Sequence, residues 1–234
     1  MKTNCSQFTL SFITLLVLVA CSTKKDSFVS RKYHALTTQN NILYNGGIGF
    51  DKGVKDINQK SKNNFWKRLP VEKMELSDGS LNDTIKNPNF DLAETKATKA
   101  IQKHSMNIGG RERNQQTDEA YLMLGKARYY GQRFVPALDA FNYILYKHPN
   151  SDKIYEAKIW REKTNMRLGN DALVIKNLSK LLKDFKLKDQ YVANAYAVLA
   201  EAFLNLEEKD SAVAKLKMRS EERRVGKECL RLCR

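Results

Sequence analysis

Apolar positions in the first half of the chain recur at helical spacing. From Arg31 onward Tyr33, Leu36, Ile42, Leu43, Ile48, Phe50, Val54 and Ile57 fall largely three, four and seven residues apart, the period of a helix that buries one face. Asn45-Gly46-Gly47 lies inside this run and leaves two readings open: the corner of a helical hairpin, or a place where two helices approach closely. Between 58 and 90 the period is lost, and Asn, Lys, Asp and Ser surround the island Phe65-Trp66-Lys67-Arg68-Leu69-Pro70. This stretch reads as a connector with an anchored middle, Trp66 either packing on a neighbouring helix or serving surface recognition. A further helix is predicted over Asp91 to Met106, with Leu92, Ala93, Ala97, Ala100, Ile101 and His104 on its buried side and Ile108-Gly109-Gly110 ending it. His104, near the end of that helix, is placed to meet the negative end of the helix dipole rather than to bind a ligand.

The strongest internal pattern begins at Asp118. Tyr121 precedes Leu124-Gly125 by three, Ala137 follows, Phe141 comes four later, and Pro149 closes the unit. This spacing resembles the tetratricopeptide repeat, in which two helices fold back on each other through small residues at their crossing while an aromatic fills the gap between them. Gly125 and Ala137 are the expected small crossing positions, and Arg128 stands where the pattern has an aromatic. The set returns as Tyr196, Leu199, Ala200, Phe203, Ala212 and Leu216, each 75 residues after its counterpart among Tyr121, Leu124, Gly125, Arg128, Ala137 and Phe141. A degenerate copy between them, Glu156 to Phe185, uses Ala157, Ile159, Trp160, Met166, Val174, Leu178 and Leu182. The chain is therefore expected to be all-α, a tetratricopeptide-like helical hairpin solenoid over 118–218, in which each unit buries its faces only against its neighbours. A helical region over 31–110, containing the 58–90 connector, is expected to precede it. The free positions of the first helices are the candidate partner surface: Glu119, Lys126 and Arg133, then Lys158, Arg161, Glu162 and Asn165, then Asn194, Val198 and Glu201. Lys158, Arg161, Glu162 and Asn165 are its centre. Their mixture of charge and amide suits a polypeptide better than a sugar.

The N-terminus changes where such a fold would live. Lys2 and the apolar run Phe8 to Val19 have the order of a secretory signal peptide, and the run falls short of the ~20 apolar residues that cross a bilayer. Its ending, Leu18-Val19-Ala20-Cys21, resembles the bacterial lipoprotein signal. That resemblance implies removal of 1–20, acylation of Cys21 with palmitate-type chains, and a polar, basic tether over 21–30 containing Lys24 and Lys25. More than one acyl chain on one residue gives stable anchoring.

Charge and cysteine usage narrow the partners. The chain carries a formal +15, and residues 21–218 alone hold 34 basic against 23 acidic groups, a net +11. A basic face toward anionic head groups or an acidic protein fits this balance. No nucleic-acid motif is present. Of four cysteines, Cys5 lies in the signal and Cys229 and Cys233 in the tail, so 22–218 has none and no disulfide framework exists. The tail, 219–234, lacks apolar periodicity and resembles vector read-through, which implies an N-terminal fragment of a longer repeat protein. Read as native, Cys229 and Cys233 give two ligands only, a weak metal site.

Catalytic constellations are missing from the sequence. His34, His104 and His148 are far apart, and no Gly-x-Ser-x-Gly, His-Glu-x-x-His or phosphate loop occurs. The expectation is a binding protein, not an enzyme, with no cofactor and no metal.

Longer runs carry a more specific likeness. Cys21-Ser-Thr-Lys-Lys, Phe28-Val-Ser-Arg-Lys-Tyr-His-Ala-Leu-Thr-Thr, Asn41-Ile-Leu-Tyr-Asn-Gly, Asn64-Phe-Trp, Leu69-Pro-Val-Glu and Gly125-Lys-Ala-Arg-Tyr-Tyr resemble the SprE/PorW-type lipoproteins of the type IX secretion system of Bacteroidota. The resemblance implies an outer-membrane lipoprotein on the periplasmic side. It also implies protein partners within the secretion and gliding motility machinery, and no catalysis of its own. A SusD-type glycan-binding lipoprotein and a BamD-like barrel-assembly scaffold also combine a lipid anchor with such repeats.

Overall fold

The computed structural model describes residues 22–66, 69–74 and 87–219, and within them the chain is all-α apart from one short ribbon. Cys21, the signal region before it, and 220–234 with Cys229 and Cys233 lie outside the described residues.

The helices follow from local signals. α1 (Phe28–Thr37) starts at Ser27, whose side chain accepts a hydrogen bond from the Ser30 amide at 3.2 Å, the usual way a helix N-terminus is capped. The chain then makes a π-helical turn, Thr38–Leu43, and continues as α2 (Tyr44–Lys60). Such a turn adds a residue to the helical repeat and rotates the faces on either side of it. The helical region thus begins before Arg31, and the expected tether is shorter. Its second half is held down: Ser30 Oγ donates to the Ser22 carbonyl at 2.6 Å, and Asp26 lies between Arg31 and Arg113. α3 (Pro88–His104) is capped by Asn87, opens on proline, carries Asp91 in its first turn and ends in Lys103 and His104.

Glycine decides how α2 meets α3. Gly46 sits within the first turn of α2 rather than at a corner, and Gly46, Gly49 and Gly53 form one buried stripe. A Cβ at Gly53 would stand 2.7 Å from the Phe90 ring, so only a bare backbone admits that ring. Of the two readings left open by the sequence, close approach is the one observed. After α3 the chain forms a ribbon of β1 (Asn107–Ile108) and β2 (Arg111–Glu112), turned by Gly109 and Gly110, both at positive φ. The periodicity gave no hint of strands this short.

The rest is a succession of helical hairpins: α4 (Thr117–Tyr130), α5 (Phe134–Lys147), α6 (Ile154–Arg167), α7 (Asp171–Leu181) and α8 (Asp189–Asn205), followed by a helical segment over 209–219. Each helix packs on the one before it, and α4, α6 and α8, the first helices of successive hairpins, also meet in order. Pro149 follows the end of α5 at Lys147, as its place in the pattern requires. Gly125 faces Phe141 so closely that a Cβ would stand 2.5 Å from the ring, and Ala137, Phe141 and Ala212 are fully buried. The Phe141 ring in turn stacks on Trp160 of α6 at 6.4 Å, which joins the first hairpin to the second. Tyr121 stacks on Tyr143 of α5 at 3.9 Å. In the second hairpin Ala157 is buried with Phe141 of the first, whereas Ile159, Met166, Val174 and Leu178 form, with Leu199 of α8, the interior of the far end. Tyr196 and Phe203 pack against that interior, while Leu124 joins Ala97 and Ala140 nearer the start. Arg128, out of pattern as an aromatic, turns back to α3 and donates to Glu94 at 3.0 Å, where Arg133 meets the same carboxylate. Burial opposes the charge on Glu94, and the two guanidiniums outweigh it, holding the carboxyl below its usual range.

Two consequences are measurable. Gly125→Leu should lower stability by roughly 1–3 kcal/mol in a thermal melt, because the Phe141 ring is sealed in place. Ala200→Leu should cost less than Gly125→Leu in the same melt, since Ala200, though buried, borders a cavity of about 240 Å³ that can take up part of the larger side chain. At the junction of α1 and α3, His34 and His104 face each other through their Nδ1 atoms at 2.9 Å, so one ring donates and the other accepts. Burial, then the neighbouring His34 and Lys99, lowers the His104 pKa from its ordinary 6.5. A group whose folded pKa lies below its unfolded value resists the proton that the unfolded chain takes up. Stability should therefore fall as pH drops from 7.5 through the region just below 6.5. His104→Asn should flatten that dependence in melts taken across the range.

Candidate functional site

The face made by the first helices α4, α6 and α8 carries a groove, and part of the chain already lies in it. Leu69, Pro70 and Val71 border the cavity of about 240 Å³ together with Ala197, Ala200, Glu201 and Leu204 of α8. Glu72 then lies over α6 and α4, and Met74 is buried with Leu122 and Tyr129 of α4. Six residues span at most about 20 Å, and this segment bends at Val71 and Glu72. That limit is about two interaxial spacings of 8–10 Å, enough to cross from α8 to α4.

The polar centre of the groove is a carboxylate clamp. Lys163 Nζ donates to Glu72 Oε1 at 2.6 Å, and the Tyr129 hydroxyl donates to Glu72 Oε2 at 2.6 Å. Tyr129 accepts in turn from Arg167 Nε at 3.1 Å, while Arg167 Nη2 stays 3.9 Å from the carboxylate. The side chains of Glu72 and Arg167 are each 12% exposed, so the charges meet in a partly dry site, where a hydrogen bond to a charged group contributes about 1.5–3 kcal/mol. Burial, reinforced by the negative charge of Glu72, pushes the Tyr129 phenol well above its ordinary value and keeps it a neutral donor. Lys163 also lies 4.2 Å above the Trp160 ring, which fixes its stem.

Helical geometry explains the clamp. Lys163 and Arg167 are four apart on α6 and share one face. Glu162 and Asn165, expected on the open surface, are turned the other way. Glu162 is 1% exposed and held between α6 and α7: Arg161 Nη2 lies 2.6 Å from its carboxylate, and Asn165 and Asn177 each donate to it at 3.1 Å. Arg161, Glu162 and Asn165 are thus brought together, as an interior network and not as a partner surface. The physical reason is that α7 packs over that side of α6, a face the 3.6 period could not tell from the open one. Val198 and Glu201 of α8 are likewise buried, whereas Asn194 is exposed. Lys126 pairs with Glu156 at 2.5 Å and Arg133 with Glu94, so these serve joints between helices. Lys158 is half-buried, with its ammonium 5.1 Å from the Tyr155 ring of the same helix.

The island before the groove also departs from expectation. Phe65 is 78% and Trp66 99% exposed, so Trp66 does not pack on a neighbouring helix. The segment's anchor is Glu72 and Met74, a few residues further on. Sequence reasoning missed Tyr129, Lys163, Arg167 and Glu72. The four-residue spacing of Lys163 and Arg167 was visible, but Glu72 comes 91 residues before Lys163 and carries no local mark. Among the described residues no group of three or more His, Cys, Asp and Glu is placed to hold a metal ion.

Arg161→Ala should cost roughly 1–3 kcal/mol in a denaturant melt, because it leaves a buried carboxylate with two amide donors only. Lys158→Ala should stay within about 0.5 kcal/mol. Equal losses for the two would refute the interior placement of Glu162. Compared with known proteins, the chain matches no family model and no curated protein.

Proposed function

We propose that this protein is a lipid-anchored scaffold that holds other proteins, of the SprE/PorW type, acting in the type IX secretion and gliding apparatus. In this reading its hairpins are tetratricopeptide-like repeats, Cys21 carries the acyl chains, and the array faces the periplasm from the outer membrane. The observation that carries the binding part is the groove across α4, α6 and α8, which accommodates a non-helical polypeptide segment and fixes it through a carboxylate. A surface that grips one such segment has the chemistry of a protein-binding repeat array. No group with a catalytic role is needed for it.

Anchoring finds support near the N-terminus. α1 begins seven residues after Cys21 and leaves Phe28, Val29 and Leu36 exposed, with Lys24 and Lys25 just before them. Apolar side chains beside lysines suit the boundary between acyl chains and phosphate head groups. Among the described residues no helix is long and apolar enough to cross a membrane.

The exposed Phe65 and Trp66 favour a second reading, a SusD-type glycan-binding lipoprotein, since sugars stack on flat aromatic faces. Calorimetric titration with envelope and plant oligosaccharides separates the two. Binding abolished by Trp66→Ala would favour the second reading; no heat with any sugar is the outcome expected here.

Metabolic labelling with a palmitate analogue should mark the wild type and leave Cys21→Ala unmarked, and membrane fractionation should place the labelled protein in the outer membrane. Equal labelling of both would remove the anchor from the proposal. Recovery of secretion or gliding components with the lipidated chain from its own envelope is the expected result of a pull-down followed by mass spectrometry.

A further inference from the structure

We infer that the groove is a docking site for a partner segment with an acidic residue beside apolar ones, and that Leu69–Met74 occupies this site in the free protein as an internal stand-in that the partner displaces. The inference rests on the scaffold reading only in taking the partner to be a protein.

The stand-in fits the groove unevenly. Its Met74 end is buried and its Glu72 is clamped, but Leu69, Pro70 and Val71 remain exposed beside the cavity of about 240 Å³. Ala197 and Ala200 give that cavity a floor of small side chains, so a partner with a larger apolar group there gains burial that the strap does not have. The clamp is also incompletely used. Arg167 donates through Nε to Tyr129, while its Nη2, buried and without a hydrogen-bond partner among the described residues, stays 3.9 Å from Glu72. A guanidinium prefers to meet a carboxylate with two parallel hydrogen bonds, and an acidic side chain reaching Nη2 makes a bond that Glu72 does not. Glu201 on α8, close enough to raise the pKa of Arg167, offsets part of that charge, while Arg219 lines the same cavity.

An internal occupant also explains how such a groove is kept from indiscriminate binding. A tethered segment competes at an effective concentration of about millimolar, and it lowers the apparent affinity of any outside segment by the fraction of time the groove is free. Only a segment that fills the cavity and completes the clamp displaces it readily.

The test uses the full chain and a fluorescein-labelled peptide Leu-Pro-Val-Glu-Lys-Met, read by fluorescence anisotropy. A full chain carrying Glu72→Ala and Met74→Ser should bind this peptide about tenfold tighter or more than the wild type does. Adding Lys163→Ala to that chain, or replacing the peptide's Glu by Gln, should abolish the gain. Circular dichroism of the same variants is part of the result. An emptied chain that keeps its helices but binds no better than wild type overturns the inference, and so does loss of the helical signal, which would make the strap a permanent part of the core. Concentration-dependent dimerisation without peptide binding would place a second copy's strap in the groove and overturn the partner reading. Peptide binding without recovery of any secretion component in the pull-down leaves the groove standing and removes the secretion proposal; the reverse pair of results does the opposite.

Discussion

The Phe141 ring lies against the bare backbone of Gly125 and stacks on Trp160, and the spacing of the hairpins is set from that arrangement. A side chain at 125 would push α4 and α5 apart and move the ring that α6 packs against. Tyr129 and Tyr130 meet the indole and each other edge-on, and Phe134 meets Tyr129 in the same way, so the three helices share one aromatic interior. Such rings are large and stiff, and their shape fixes the distance between helices more closely than aliphatic residues would. The glycine stripe of α2 repeats the device against Phe90, whose ring stacks on Tyr130 at 5.0 Å. The N-terminal helices are thereby continuous with the repeats.

A few charges are used inside this framework, at the joints between helices. Glu94 holds Arg128 and Arg133 against α3, Glu162 joins Arg161 of its own helix to Asn177 of α7, and Glu156 holds Lys126 between successive hairpins. Each acid sits where two helices meet and is met by more than one donor or by a partly buried cation. Buried carboxylates require such partners, since the cost of leaving one unmatched exceeds the gain from forming the pair. Each such pair removes one base with one acid, so the basic excess of the chain stays with the unpaired cations.

Glu72 belongs to the same class of buried acid but differs in origin. It comes from a segment that is neither helix nor strand, and it reaches Tyr129 and Lys163 on two different hairpins. One short strap thus bridges units that otherwise touch only their neighbours. A succession of hairpins gains stiffness from any long-range contact, because its own contacts are local. The strap lies across α8, α6 and α4 and is fixed there by Lys163 and Tyr129.

Helical periodicity, glycine and proline placement and the 75-residue recurrence were sufficient to read the all-α hairpins, the Gly125 crossing and the end of α5 from the chain alone. These are local properties, set by spacing along one helix or between two adjacent ones. Which side of α6 is covered was not local: Glu162 and Lys163 are neighbours in sequence, yet one is sealed beneath α7 and the other lies in the groove. The exposure of Trp66 and the docking of Glu72 were equally hidden, because both depend on where a connector without periodicity lies across helices more than fifty residues away. The sequence by itself determined the helices and the order in which they pack. Only the tertiary structure decided which polar residues became interior joints and which formed the groove, since burial of a charge depends on partners that the chain brings together only after it has folded.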